Sequence, residues 1–449
     1  MLAAFKIYVM PYLVYAIVLW ACGIGMTKRA AIPLFVYIVL VIFPQFWYPI
    51  QDLPLGSYAL SMLALTAIIG GHWQRPKGDP TAPNRGLVIV FLLASYVALW
   101  NSSLRFGLSL PVTSNNELFP QWRNYAIMVA LYFGAYSSMR NETLIRRATL
   151  LFFWVIIVLA WRELAGFASG DTFSYNRRCS GPFWMVGLNA NHFAAFIAHY
   201  SVVAIGLLAM DDDKKRKRLY LAAFVVSLYP LFFSYSRGAY VAVLFAVLVV
   251  AILRYRAILP LLGIFMIFWD SLLPSSVVDR IQMTESPDGQ IEESAALRLV
   301  VWALAKQLFS ENPIFGIGYQ GFYFASAGLP LRNVHNFFLQ IAAEQGIAGA
   351  LLLAVFLGRA MWSGWRLYHD GTSVFLRGMG LGFIACISAM LITNIFGDRF
   401  SQISVGSYFW ILFGLVDRAR VLSKTPPDTS TLPKPMRQAG AIGRRPKTP

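Results

Sequence analysis

Long apolar runs recur from end to end of this chain of 449 residues. Most are about 16 to 22 residues long, enough for a helix to cross a hydrocarbon core of roughly 30 Å. Charged residues make up only 13% of the chain, whereas soluble domains carry about 25%. The runs are continuous rather than alternating, which argues against a transmembrane β-barrel. The sequence therefore predicts an all-α protein that crosses a membrane many times.

The apolar segments set the number of membrane crossings. Pro11 interrupts the first segment, so a cleavable signal peptide is not expected there. If the true number of crossings is twelve, this first segment is the one that we expect not to cross fully. The predicted segments lie near residues 8–25, 31–48, 54–71, 86–101, 122–138, 148–166, 191–210, 218–234, 238–253, 257–273, 335–358, 376–396 and 402–417.

The basic residues of the loops predict the orientation. They concentrate in alternate loops, including the run KKRKR, and in the C-terminal tail. By the positive-inside rule this side is cytoplasmic, so the net charge of +17 indicates topology rather than affinity for nucleic acid. We divide the chain into four regions. Residues 1–273 form an N-terminal transmembrane bundle, 274–334 an outer loop with an amphipathic helix, 335–420 the C-terminal transmembrane helices and 421–449 a disordered cytoplasmic tail.

The outer loops are rich in arginine, and their one clear lysine is Lys306. Arginine is favoured where a planar fork must grip phosphate or carboxylate through two hydrogen bonds. The set therefore predicts a site in the outer leaflet for an anionic, phosphate-bearing ligand. For any single arginine, snorkelling or pairing with a carboxylate is the alternative. The outer arginines are Arg105, Arg123, Arg162, Arg177, Arg178, Arg237, Arg280, Arg298, Arg332 and Arg399.

Two of these arginines have the most informative surroundings. Arg237 lies in SYSRGAY, a turn between two apolar runs that is too short to be a solvated loop. Arg298 begins a predicted amphipathic helix over 294–310, because the apolar residues from Leu297 to Leu308 recur at helical spacing. Trp302 follows Arg298 by one turn. The prolines and glycines of ENPIFGIGYQGF then end the helix.

His335 is the candidate general base. It follows Arg332 and Asn333 and opens the predicted span 335–358. A helix N-terminus and nearby arginines both disfavour the imidazolium, so this histidine should be neutral near pH 7. We expect Asn333 to cap the helix and Asn336 to help orient the ring. The alternative is an interfacial histidine that does no chemistry.

The other titratable residues predict no metal site and no cofactor. His192 and His199 lie seven residues apart, without an obvious third ligand. Asp211–Asp213 has the D-x-D spacing of nucleotide-sugar enzymes, but it adjoins KKRKR, so we interpret it as a solvated inner loop. Glu344 lies in a predicted span, where pairing with an arginine is the expectation. The three cysteines are scattered and fit small buried residues.

Several short motifs occur in a characteristic order. After SYSRGAY come R-L-x-x-W at Arg298–Trp302, N-P-x-x-G-x-G at Asn312–Gly318, H-N-x-x-L at His335–Leu339 and E-Q-G-x-x-G at Glu344–Gly349. Their order and spacing resemble the O-antigen ligase and O-antigen polymerase superfamily of Gram-negative bacteria. RRCSGPFWMVGLNANHFA is similar to that family's Arg–Gly–Asn-x-Asn region, although Ala190 replaces the usual proline. The resemblance covers roughly residues 170–350.

The resemblance implies a glycosyltransferase of the bacterial inner membrane, with twelve spans, both ends cytoplasmic and a periplasmic active site. It implies a donor glycan on undecaprenyl pyrophosphate and, for a ligase, lipid A–core oligosaccharide as acceptor. Arg237 and Arg298 would bind the pyrophosphate, and His335 would activate the acceptor hydroxyl in a metal-free, inverting displacement. Further substrate-binding candidates are Arg123, Arg177, Arg178, Arg332, Asn336 and Trp302.

A ligase is the first hypothesis, and two alternatives stay open. An O-antigen polymerase would use the same donor, with another lipid-linked glycan as acceptor. A transporter of an anionic lipid would also need many spans and many arginines. Transporters bury ionisable groups at mid-membrane and show repeated halves, and the sequence shows neither. The sugar, the acceptor position and the oligomeric state are not indicated.

Overall fold

A computed structural model describes residues 9–167, 172–174, 176–283 and 293–424, and those residues form helices and connecting segments without a strand. The first nine α-helices, α1 to α9, are Met10–Thr27, Ala31–Leu40, Pro44–Trp47, Ala59–Trp73, Arg85–Arg105, Phe119–Ser138, Glu142–Gly166, Ala190–Met210 and Lys214–Phe233. The next eight, α10 to α17, are Arg237–Leu253, Ile258–Leu272, Ser275–Gln282, Glu293–Glu311, Gly321–Ala325, Phe337–Asp370, Val374–Ile395 and Ile403–Lys424.

The all-α prediction is confirmed, since each predicted apolar segment overlaps a helix. Within the described ranges, six helices are long and apolar enough to cross a membrane, or up to eight if each of two bent pairs is one span. These pairs are Ala31–Leu40 with Pro44–Ile50, bent by 108°, and α11 with α12, bent by 104°. Twelve crossings stay a prediction, as do the domain boundaries. The predicted tail begins inside α17, which continues to Lys424, and its residues 425–449 lie outside the described part.

The predicted helix over 294–310 is α13, which spans Glu293–Glu311. Most helix starts need a polar cap, because the first backbone N–H groups of a helix have no partner within it. Asn141, Asn189, Asp213, Asn336 and Ser373 supply such caps for α7, α8, α9, α15 and α16. A polar side chain of the local sequence therefore caps each of these five helices.

The centre of the bundle is formed by α8 and α16, which pack along each other and are buried over most of their length. Around this pair lie α9, α10 and α15, while α6 packs against α4 and α17. Neighbouring helices are mostly antiparallel. The starts of α8, α10, α15 and α17 consequently meet at one end of the bundle, together with the end of α16.

The opposite end holds a buried polar network. The carboxylate of Asp417, near the end of α17, is fully buried. It accepts hydrogen bonds from Asn84 Nδ2 at 2.8 Å, Tyr132 Oη at 2.7 Å and Ser363 Oγ at 2.9 Å. Asp417 lies 14 residues after Ile403, the first residue of α17, and an α-helix rises about 1.5 Å per residue. The network and the start of α17 therefore lie about 21 Å apart along the helix, roughly two-thirds of the thickness of a hydrocarbon core.

The acidic run before α9 differs from the solvated loop that we expected. Asp211 is fully buried. Its carboxylate pairs with Arg216 at 2.6 Å and accepts a hydrogen bond from Tyr220 Oη at 2.8 Å. Asp213 caps α9 through the backbone N–H of Arg216. The acidic run is therefore the ordered start of α9, and the ion pair between Asp211 and Arg216 stabilises it.

Candidate active site

Arginines from five separate segments line one cavity of about 580 Å³ at the end of the bundle where α8, α10 and α15 begin. Asn191, Ser236 and Thr393 add polar groups, and Trp302 and Phe396 add aromatic walls. Among the described residues that line it, none carries a carboxylate. The cavity is therefore strongly cationic and suits an anionic ligand. Its arginines are Arg178, Arg237, Arg280, Arg298 and Arg399.

Arg178 and Arg237 are brought together by the turn before α10. Tyr235 in this turn has φ +53°, a left-handed conformation that reverses the chain. Arg178 donates to the carbonyl of Ser234 at 2.8 Å and to Asn191 Oδ1 at 2.6 Å. These bonds tie the segment before α8 to the turn, so that Arg237, at the start of α10, faces the same cavity.

Arg280 comes from the short helix α12. Its side chain is only 7% exposed, and its guanidinium carbon lies 4.9 Å from the centre of the Phe173 ring. The helix is anchored by Ser276, which is buried and bonds to Tyr235 Oη at 3.1 Å. Tyr235 therefore links two arginine-bearing segments, the turn before α10 and α12.

Arg399 lies in the turn between α16 and α17 and is 5% exposed. Asn394 Oδ1 accepts hydrogen bonds from the backbone N–H groups of Arg399 and Phe400 at 3.0 and 3.1 Å, which fixes the turn. The adjacent Asp398 bonds to Ser401 through its carboxylate. Burial lowers the pKa of Arg399 to about 10, against the opposing effect of Asp398, and the charges of Arg298 and Arg178 lower it further. Arg399 still stays protonated at neutral pH.

His335 is joined to the cavity through α13. Trp302 and Arg298 both line the cavity from this helix. The indole N–H of Trp302 donates to the carbonyl of Val334 at 2.9 Å, one residue before the histidine. Burial, followed by the charges of Arg298 and Arg399, lowers the pKa of His335 to about 4. Its imidazole is therefore neutral at pH 7 beside a cluster of cations.

The backbone of His335 is held in an unusual conformation. Its φ of +53° lies in the left-handed region, which residues other than glycine and asparagine rarely adopt. Asn333 Oδ1 holds it by accepting the backbone N–H of His335 at 2.7 Å. The helix cap is Asn336, which accepts from the N–H of Leu339 at 3.0 Å. Asn336 and not Asn333 is therefore the helix cap, Asn333 holds the backbone of His335, and His335 lies before the helix rather than within it.

The two glycine-containing motifs pack against each other. The helix α15 is broken at Gly346, which has φ 64° and ψ −163°. The turn after α13 enters this break and forms hydrogen bonds that include Gly318 N–H to the Glu344 carbonyl at 2.7 Å and Ile347 N–H to the Pro313 carbonyl at 2.8 Å. This backbone contact, which we call the interlock, joins α13, the helix of Arg298, to α15.

Glu344 belongs to the interlock rather than to an arginine pair. Its carboxylate is 2% exposed and accepts hydrogen bonds from the backbone N–H of Gln320 at 3.1 Å and from Gln340 Nε2 at 3.2 Å. The pairing with arginine that the sequence suggested is thus replaced by a backbone contact. Its position stabilises the turn that follows the glycines of N-P-x-x-G-x-G.

Several predicted substrate-binding residues lie elsewhere within the described chain. Arg123 lies over the ring of Tyr58 at 5.0 Å, and Arg177 is exposed. Arg332 is exposed and donates to Tyr323 Oη at 3.1 Å. None of these three is among the residues that line the cavity, and neither is the helix cap Asn336 or the predicted base His335. The cavity does contain the predicted residues Arg178, Arg237, Arg298 and Trp302.

Arg280 and Arg399 are cavity residues that sequence reasoning did not single out. Both belong to the outer set of arginines, and the excess of arginine over lysine was the only signal that pointed to them. Neither lies in one of the motifs quoted above. Among the described residues, no group of three or more His, Cys, Asp or Glu side chains is arranged to hold a metal ion.

Comparison with known proteins gives a family match for part of the chain. Residues 222–354 match the family model described as O-antigen ligase. The matched region begins in α9 and ends in α15, so it includes Arg237, Arg280, Arg298 and His335. Arg178 and Arg399 lie outside it. No curated protein matches the chain.

Proposed function

The chain belongs to the O-antigen ligase and O-antigen polymerase superfamily, and from this premise we propose that it is a membrane glycosyltransferase of the ligase type. Its donor is a glycan on undecaprenyl pyrophosphate, and its acceptor is a hydroxyl of lipid A–core oligosaccharide. The protein lies in the bacterial inner membrane with the arginine cavity on the periplasmic side and the C-terminus in the cytoplasm. The observation that carries the proposal is the cationic cavity with a neutral histidine beside it.

The arginines act on the leaving group. As the bond between the anomeric carbon and the pyrophosphate oxygen breaks, negative charge develops on that oxygen. Fixed guanidinium groups in a partly buried cavity stabilise this charge without first having to reorganise. Arg399 and Arg280 are almost fully buried, so their positions are set before the donor arrives. We propose that the cavity arginines do this without a divalent ion.

His335 acts on the acceptor. A neutral imidazole accepts the proton of the acceptor hydroxyl while that oxygen forms its bond to the anomeric carbon. The new glycosidic bond forms opposite to the bond that breaks, so the anomeric configuration inverts. Undecaprenyl pyrophosphate leaves, and the proton on His335 passes to solvent. Burial and the charges of Arg298 and Arg399 keep the pKa of His335 low, which favours proton release after the donor's negative charge has left.

Substituting Arg237 by lysine tests the arginine assignment. Lysine keeps the charge but loses the bidentate fork, so Arg237→Lys should lower kcat/KM at least about tenfold. Arg105→Lys is the matched control, because Arg105 is exposed and bonds to Asn312 outside the cavity. Transfer by purified protein in vesicles is the readout, with and without a chelator. Equal activity of the two variants would refute bidentate binding of the pyrophosphate by Arg237. Loss of activity with chelator would refute metal-free transfer.

A deletion strain separates the ligase from the polymerase. If the protein is a ligase, the strain should lose all polysaccharide from lipid A–core and accumulate lipid-linked polymer. A single repeat still attached to the core would indicate the polymerase instead. Unchanged lipopolysaccharide, together with altered distribution of a lipid across the membrane, would favour the transporter. Lipopolysaccharide gels and extraction of the lipid-linked fraction distinguish these outcomes.

A further inference from the structure

A buried histidine of α8, His199, has no part in the mechanism described above. Its side chain is only 1% exposed, and its Nε2 lies 2.6 Å from Oγ1 of Thr393 on α16. The two helices pack along each other at the centre of the bundle. An ionisable side chain inside a membrane is costly, and such residues commonly serve function. The bond between His199 and Thr393 therefore points to a task beyond packing.

Thr393 brings this bond to the wall of the cavity. It lines the cavity together with Phe396 and Arg399, which belong to the end of α16 and the turn after it. The guanidinium of Arg399 folds back over Gly397, where an added Cβ would lie 2.6 Å from the Cζ atom of the arginine. Within the described ranges, no group accepts a hydrogen bond from this guanidinium. The segment therefore presents a hydroxyl and a buried cation to the same cavity.

The hydrogen bonds around Thr393 determine which group donates. Its Oγ1 lies 3.2 Å from the carbonyl oxygen of Met390, which can only accept, so the single hydroxyl proton is directed to that carbonyl. His199 then carries a proton on Nε2 and donates it to the hydroxyl oxygen. The Met390 carbonyl also accepts from Asn394 Nδ2 at 2.8 Å. The hydroxyl can therefore turn to a ligand without leaving the carbonyl unsatisfied, while His199 still holds the hydroxyl oxygen.

We propose that the Thr393 hydroxyl donates a hydrogen bond to a phosphate oxygen of the donor's pyrophosphate, and that His199 is the positioning residue that holds this hydroxyl. The inference rests on the proposed function and adds to the arginines an uncharged donor, in a subsite shared with Arg399. A hydroxyl that itself accepts an N–H bond is polarised and donates more strongly. Neither Thr393 nor His199 lies in the region 222–354 that matches the family model.

Substituting valine for threonine tests the hydroxyl. Thr393→Val nearly keeps the shape of the side chain. Thr149→Val is the matched control, because Thr149 is also buried and bonded to a carbonyl of its own helix but does not line the cavity. The Kd of inorganic pyrophosphate is measured by calorimetry on purified protein in detergent. Thr393→Val loses a hydrogen bond to a charged group, so its Kd should rise at least about tenfold. Thr393→Ser, which keeps the hydroxyl, should restore the Kd to within about threefold of wild type, and Thr149→Val should leave it unchanged.

A double-mutant cycle tests the histidine. His199→Leu should raise the Kd about as much as Thr393→Val, and the double variant should raise it no further, because His199 acts through the hydroxyl. His199→Gln, which retains an N–H donor, should recover most of the binding. Effects that multiply in the double variant would mean that His199 only packs in the core, and the positioning role would be overturned.

The outcomes separate this proposal from the function on which it rests. If wild-type protein binds pyrophosphate and Thr393→Val binds it equally well, the subsite is overturned and the proposed function stands. If wild type does not bind pyrophosphate, both are overturned. If the Kd values change as expected but wild type transfers no glycan from undecaprenyl pyrophosphate, the proposed function fails and the subsite stands. Melting temperatures show which variants fold, and if Thr393→Val does not, His199→Leu compared with His199→Gln makes the same test.

Discussion

Replacing Gly346 by alanine tests the interlock that joins α13 to α15. At φ 64° and ψ −163°, Gly346 has a conformation that is essentially restricted to glycine. An added Cβ would lie 2.2 Å from the carbonyl oxygen of Ile314 and 2.7 Å from the backbone nitrogen of Phe315. Because both are backbone atoms, no side-chain rotation can relieve the overlap. The turn after α13 would have to withdraw from the helix break.

The expected cost follows from these contacts. The unfavourable backbone conformation costs about 1–3 kcal/mol for a residue other than glycine. Withdrawal of the turn also breaks the hydrogen bonds from Ile347 N–H to the Pro313 carbonyl and from Ala348 N–H to the Ile314 carbonyl, at about 1 kcal/mol each. We therefore expect Gly346→Ala to lower the free energy of unfolding by about 3–5 kcal/mol.

Gly358, on the same helix, is the matched control. A Cβ there would meet no atom within 4 Å, and alanine is favoured over glycine in a helix by about 1 kcal/mol. Gly358→Ala should therefore be neutral or stabilising. Two of the three cysteines, Cys179 and Cys386, are buried, so a thiol-reactive dye reports unfolding of purified protein in detergent as the temperature rises.

The result should be clear in both stability and activity. Gly346→Ala should lower Tm by roughly 5 °C relative to Gly358→Ala. The molecules that stay folded should also transfer glycan about a hundredfold more slowly, because the turn links the helix of Arg298 to the helix that follows His335. An alanine variant with wild-type Tm and activity would show that the helix break does not depend on glycine, and the interlock would lose its assigned role.

Three further predictions concern the histidine and the opposite end of the bundle. His335→Asn and His335→Ala should both slow transfer by about 10²–10⁴-fold. Only alanine should also destabilise the fold, by about 1 kcal/mol, because asparagine tolerates the left-handed backbone at φ +53°. Equal Tm values for the two variants would contradict this. The imidazole of His335 must be neutral to act as a base, and burial lowers its pKa to about 4. The value of kcat/KM should therefore be retained as pH falls through 6.5 and decline only near pH 4. A decline centred at pH 6.5 would count against His335 as the base. Asp417→Ala removes the buried carboxylate that accepts hydrogen bonds from Asn84, Tyr132 and Arg420. It should lower the free energy of unfolding by about 3–5 kcal/mol while folded molecules keep wild-type kcat.

The helices could be predicted because apolar length and periodicity are local properties of the sequence. Arg237, Arg298 and Trp302 could be singled out for a similar reason, since each lies in a short motif with an informative neighbour. Arg399 could not, because its place in the cavity depends on α16 ending beside α8 and α10, about 160 residues away along the chain from Arg237. No local pattern distinguishes it from Arg123, which contacts Tyr58 instead.

The choice of Asn336 rather than Asn333 as the helix cap has the same origin. Either asparagine could cap a helix by its residue type alone. The backbone at His335 is left-handed and is held on one side by Asn333 and on the other by the bond from Trp302 to the Val334 carbonyl. This second bond joins residues 32 positions apart. A tertiary contact thus decides which asparagine begins the helix.

The motifs fall into two groups with different physical tasks. The glycine motifs form the interlock between α13 and α15, whereas Arg237 and Arg298 present charge to the cavity. A ligase and a polymerase share a donor, so both need the cavity and the interlock unchanged, and a difference in acceptor must arise elsewhere. The exposed Arg332, stacked on Tyr323 at 5.1 Å, lies three residues before His335 and outside the cavity. We therefore expect acceptor choice to depend on this surface and donor choice to depend on the arginines.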